Sequence, residues 1–254
     1  MTGKMIFKME MFKFWKDKAY LFSALAIGIL NTIVTLIALA VVSNMANGDM
    51  YYSETAEALI GVLFLVGFLL ILGSGLFMFI YPFRAVSADY KNNVMALMVA
   101  SGVNRTKLYF AKIGAIILAA LILAMVISLV PIILITVRIS TEVGLAQVVD
   151  AIAEVWQFFD MSAVQILVNS ILSYLQALIL IIFVCIWLKG SNLSFLLFIG
   201  LSIAISIVSG ILNLFSIAFD FSFNAMLAYS SFITLIITVA LMFLSLSMLR
   251  RQNL

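Results

Sequence analysis

The side chains that could do chemistry in this chain are few, and most are amides and hydroxyls. Its 254 residues include no histidine and a single cysteine, Cys185, set inside an apolar run. Imidazole metal sites, Ser-His-Asp triads and imidazole proton relays are therefore excluded, and one thiol supports neither a disulfide framework nor a cysteine metal cluster within one chain. Ser162, Gln165, Asn169, Ser173 and Gln176 recur at helical spacing through an otherwise apolar segment. Amides in hydrocarbon must face protein or water, so this stripe either hydrogen-bonds between helices or forms a translocation surface. Asn213, Asn31, Thr32 and Thr35 pose the same choice more weakly.

A second group is charged. From Phe83 to Lys112 the sequence FRAVSADYKNNVMALMVASGVNRTKLYFAK is a polar and basic island between two long apolar segments. Asp89 to Ala100 can form a short helix starting at Asp89, with Val94, Leu97, Met98 and Met95 apolar, and it is too short and polar to cross a bilayer. Ser101-Gly102-Val103-Asn104 is a turn signal, after which a helix restarts carrying Arg105, Lys107 and Lys112.

The elements that must position these residues follow from composition. With 66% hydrophobic and 10% charged residues, the chain holds more apolar surface than a soluble globule of this length can cover. An all-α polytopic membrane protein is expected, one domain over residues 1–254, with six apolar spans at about 20–45, 58–82, 109–137, 162–188, 194–217 and 226–248. Residues 1–19 place Met5, Met9, Phe12 and Trp15 near one helical face among five lysines, which predicts an interfacial elbow helix; the alternative is a plain basic flank. Residues 83–108 form a cytoplasmic loop. Residues 138–161 form an outer amphipathic loop, with Leu145, Val149, Ile152, Trp156 and Phe159 on one face. Pro82 offers a cheap stop for the second span, and Pro131 predicts a kink in the third.

Charge orients the spans. Thirteen of the fourteen Lys and Arg fall on the side shared by both termini, and eight of the eleven acids on the other, which predicts an N-in, C-in topology. No Asp, Glu, Lys, Arg or His sits near the middle of a span, which argues against a proton-driven carrier. A GxxxxGK[ST] phosphate loop is also absent from the sequence, so an ATPase would be a separate subunit. Ala111, Ala115 and Ala119, and Ser202, Ser206 and Gly210, follow small-xxx-small spacing and predict close helix contacts, a dimer seam or pathway lining.

The island resembles the cytoplasmic loop between the second and third spans of ABC-2 type permeases, the membrane subunits of ATP-driven exporters. Asp89, Asn92 and Asn93, Leu97, Ser101-Gly102, Arg105 and Lys112 match the acidic-polar segment, the leucine-bearing helix, the turn, the Arg and the later Lys of that family. Gly102 stands where many members have Pro, and Asn93-Val94 replaces the usual Gly-Thr. The likeness also covers the elbow, the six spans, the topology and the lack of an ATPase. It implies that Asp89, Asn92, Asn93, Val94, Leu97, Met98 and Arg105 couple to the ATPase, with Lys189 to Asn192 as a second contact. Gln165, Asn169, Ser173, Gln176 and Asn213 are candidates for the translocation surface.

The implied assembly has two copies of a cytoplasmic ABC ATPase and a second permease subunit, a homodimer, in a bacterial plasma membrane. This chain would hold no cofactor, ATP and Mg²⁺ being bound by the ATPase. Membrane lipids are expected partners and nucleic acid is not. Met- and Phe-rich uncharged spans suit an amphipathic peptide or lipid-like cargo, and the chain looks similar to small exporters of phenol-soluble modulins and bacteriocins. The competing reading is a non-transporting scaffold or sensor that uses the island to recruit a soluble partner. An intramembrane enzyme is poorly supported, because no span carries paired acids.

Overall fold

The computed structural model describes residues 2–46, 54–142, 163–219 and 221–252. Their regular structure is α-helical: α1 (Gly3–Lys16), α2 (Lys18–Ala46), α3 (Glu54–Lys91), α4 (Val94–Ala100), α5 (Arg105–Glu142), α6 (Ala163–Trp187), α7 (Leu193–Ala218) and α8 (Phe223–Arg251). Six of these helices are long and apolar enough to cross a membrane: α2, α3, α5, α6, α7 and α8. The chain is thus an all-helical, multi-pass membrane protein. Most of the expected outer amphipathic loop, residues 143–161, lies outside the described residues, as does Ser162.

Helix ends differ from expectation at the island. Instead of stopping at Pro82, α3 runs through it to Lys91. Tyr81, Val86, Ser87, Asp89 and Tyr90 are buried along this extension, and their packing outweighs the one backbone hydrogen bond that proline removes. α5 likewise starts at Arg105 and continues through Pro131 to Glu142. Inside the spans, hydroxyls satisfy themselves on their own helix: Thr32 donates to the Gly28 carbonyl, Thr35 to Asn31, Ser128 to Ala124 and Thr238 to Thr234. That is the cheapest solution where water is absent.

The chain divides into two compact units, Met1–Phe12 with Tyr81–Leu118 and Ala151–Leu254, and Lys13–Ile80 with Ala119–Asp150. In the first, α6 packs most extensively on α8, and α7 packs on both. Every residue from Leu178 to Ile186 is buried, so the second half of α6 is enclosed on all faces and forms the centre of this unit.

In the second unit the Tyr20 ring stacks on Phe77 with centroids 4.5 Å apart, and its hydroxyl donates to the Phe77 carbonyl at 2.6 Å. Asn31 Nδ2 donates to Ser74 Oγ at 3.2 Å, so this amide joins α2 to α3. Gly28 is required by proximity: a Cβ there would lie 2.9 Å from the Val126 carbonyl oxygen of α5. An apolar cavity of about 680 Å³ lies among α2, α3 and α5 in this unit, with Asn31, Thr35, Ser74 and Ser128 on its wall.

Candidate functional site

The island does not form one helix from Asp89. Asn93 adopts the left-handed conformation, φ 55° and ψ 18°, which asparagine tolerates better than most residues, and it separates α3 from the seven-residue α4. α4 ends in a Schellman motif. The Val103 N–H donates to the Met98 carbonyl and the Gly102 N–H to Val99, with Gly102 at φ 80° and Met98 and Val103 both buried.

This geometry divides the expected coupling residues. Asp89 lies in the last turns of α3, buried, and is not on the short helix. Met95 and Met98 face inward, Met98 being only 8% exposed, whereas Leu97 projects outward at 66%. Asn92 and Asn93 are exposed beside it, and Val94 is half-buried. The exposed surface of this stretch is therefore one leucine beside small and amide groups, not a Leu-Met pair.

The last turns of α3 take part in a cluster of ions. Lys112 of α5 pairs with Asp89 of α3 and stands 3.6 Å from the Glu10 carboxylate of α1. All three are nearly inaccessible, at 3%, 5% and 4%. A buried charge is tolerated only when matched, so this cluster fixes the start of the chain and the ends of two spans to one another. Glu10 is a residue that sequence reasoning missed. Its signal was its spacing four residues from Ile6 and four from Phe14, a buried stripe of α1, while Met5, Phe12 and Trp15 point outward.

A second set of contacts ties the island to the C-terminal end of α8. Arg105 Nη1 lies 2.9, 2.7 and 2.8 Å from the carbonyl oxygens of Leu249, Arg250 and Gln252. A guanidinium there satisfies carbonyls that a helix end leaves open and complements its dipole. Tyr90 donates to Gln252 Oε1, and Gln252 Nε2 donates to the Ile186 carbonyl at 2.6 Å. Tyr109 is hydrogen-bonded to Ser245, and Arg250 donates to Thr106. Neither Gln252 nor the two tyrosines stood out in the sequence, because their partners are more than sixty residues away.

The loop after α6 completes this platform. Lys91 donates to Asn192 Oδ1 at 2.7 Å, and a Cβ on Gly190, at φ 72°, would lie 2.8 Å from Ser87 Cα and its carbonyl oxygen. Lys189 is exposed and left-handed, φ 48°, on the same turn. The two stretches expected to meet a partner, residues 89–100 and 189–192, are thus linked directly.

The polar stripe of α6 is also divided. Ser173 and Gln176 join Ser202, Ser206, Ser209, Gly210 and Asn213 of α7, with Ser230 and Thr234 of α8, around a cavity of about 350 Å³. Asn213 Oδ1 is buried and accepts no hydrogen bond within the described protein. Asn169 instead accepts from Ser231 at 3.3 Å and joins α6 to α8, while Gln165 lies away from the cavity. No protein-family model, curated protein or solved structure matches this chain. The site's chemistry must be read from its own groups. Its lining is hydroxyls, amides and small apolar residues, which suits hydrogen bonding to an uncharged polar group and offers no ion to pair with a charged one. Among the described residues, no three His, Cys, Asp or Glu gather closely enough to hold a metal ion.

Proposed function

We propose that the chain is the permease subunit of an ATP-driven exporter, of the ABC-2 kind that its island resembles, and that it moves an amphipathic peptide or lipid-like substrate. The observation that carries the reading is α4: a short helix with one exposed leucine and two buried methionines, set between α3 and α5, whose ends are joined to each other and to the end of α8 by an ion pair and hydrogen bonds. A protruding knob on a braced platform can transmit a push, because force at Leu97 has no slack segment in which to dissipate. A freely hinged recruitment loop would not need such bracing, which favours transport over a passive scaffold.

In this reading both termini, α4 and the Lys189–Asn192 turn are cytoplasmic, which the distribution of basic residues supports. α1 lies along the inner membrane surface as the elbow. ATP and Mg²⁺ are held by two copies of a separate ATPase, and two permease chains pair in a bacterial plasma membrane. Closure of the ATPases tilts α4 with the spans it is fixed to and shifts the paired bundles from inward to outward access. The polar cavity of α6, α7 and α8 then offers hydrogen bonds to the polar part of the cargo.

The deciding experiment compares Leu97→Asp with Met98→Asp in the full chain, tagged and expressed in its native cells, with co-purifying nucleotide-hydrolysing subunits as the readout. Leu97→Asp leaves the fold intact and abolishes ATPase co-purification or its stimulation, whereas Met98→Asp lowers thermal stability because it buries a carboxylate. Normal coupling in Leu97→Asp would refute the assignment. Recovery of a partner that hydrolyses no nucleotide would favour the scaffold reading.

A further inference from the structure

We propose that the groove between the start of α1 and the first turns of α5 is a binding site for an anionic phospholipid. The groove has a volume of about 470 Å³, and its walls include Lys4, Phe7, Lys107, Phe110 and Ala111. Its floor is apolar. Phe7 lies over Gly114, 3.7 Å from where a Cβ would stand, and Phe110 is half exposed. Lys4 and Lys107 line it with their alkyl stems, which leaves their ammonium groups for the rim, as long cationic side chains do at membrane surfaces. Both lysines are exposed and, among the described residues, neither has a carboxylate partner. The acids of this region, Glu10 and Asp89, face Lys112 in the buried cluster instead.

Two unmatched cations beside a hydrocarbon slot call for a ligand with both an anion and a chain. A soluble phosphate would leave the slot empty, and a zwitterionic lipid would bring its own cation to the lysines. An anionic phospholipid satisfies both parts, with its phosphate between Lys4 and Lys107 and an acyl chain along Phe7, Phe110 and Ala111. The outward Met5, Phe12 and Trp15 of α1 lie in the same helix and suit the surrounding interface. This inference does not depend on the transport proposal.

The test is native mass spectrometry of the full chain equilibrated with equimolar phosphatidylglycerol and phosphatidylcholine of matched acyl chains. Phosphatidylglycerol should be retained in several-fold excess. The double variant Lys4→Gln/Lys107→Gln, which alters only exposed groups, should abolish that excess, and Lys8→Gln/Lys18→Gln, an equal change in net charge, should preserve it. Ala111→Trp, which fills the slot, should reduce retention of phosphatidylglycerol. Equal retention of the two lipids by the native chain, or equal loss of preference in both double variants, would overturn the site. So would a lipid-independent dimer that only Lys4→Gln/Lys107→Gln dissociates, which would assign the groove to a second copy.

Discussion

The first unit contains two polar regions, and they are built on opposite terms. Around Lys112 every charge meets its opposite, and around Arg105 each nearby carbonyl meets a donor. In the cavity of α6, α7 and α8, by contrast, hydroxyls and amides face a space, and Asn213 Oδ1 has no donor within the described protein. A matched network holds one geometry, because breaking any member exposes a buried charge or carbonyl. An unmatched amide raises the energy of the empty site and lowers the cost of filling it with something that donates. Matched pairs and an unfilled polar cavity thus occupy different parts of the same unit.

Removing the centre of the matched network should have the largest effect. Lys112→Met leaves Asp89 and Glu10 buried without their shared cation and should cost about 3–5 kcal/mol, read as a loss of thermal stability in the purified chain. The triple variant Glu10→Gln/Asp89→Asn/Lys112→Met should recover most of that loss. If it recovers none, the cluster matters through packing and the contrast with the cavity weakens.

Arg105→Ala should cost about 1–3 kcal/mol, since several carbonyls at the end of α8 lose a charged donor that is partly solvent-exposed. Arg105→Lys should recover only part of it, because the lysine ammonium sits on a shorter stem than Nη1, the nitrogen that reaches all three carbonyls. Gly190→Ala tests the bracing of the second loop. Its Cβ would meet Ser87 backbone at 2.8 Å in a left-handed conformation, so a loss of about 1–3 kcal/mol is expected.

The cavity should respond in the opposite sense. Gln176→Leu/Asn213→Leu replaces amides by similarly sized apolar groups and should change stability by less than about 1 kcal/mol, while export measured in cells or vesicles falls. Loss of stability with export intact would place these amides among the bracing contacts and erase the distinction between the two regions.

How much of this was legible in the sequence differs from one element to the next. The six spans were, because a run of uncharged residues long enough to cross hydrocarbon is a local property. The kinship of Ser173, Gln176 and Asn213 was legible as helical spacing and polarity, though their convergence on one cavity was not. The short helix was legible as an amphipathic stretch, yet its start and its buried face were misplaced. Asn93 turns left-handed and resets the helical phase, so residues on either side of it do not share one face. Asp89 and Met98, which one continuous helix would have presented together, go instead to an ion pair in one helix and the underside of another.

Composition and charge order by themselves determined that this chain is a helical membrane protein, because transfer to hydrocarbon depends on each segment's own residues. They also predicted which face its basic segments take. Which polar groups are paired was decided only by tertiary structure. Lys112 finds Glu10 and Asp89, Arg105 finds the end of α8, and Asn213 Oδ1 finds no donor in the described protein, because pairing depends on which groups are brought within hydrogen-bonding distance. That depends on the packing of the whole unit around the enclosed half of α6.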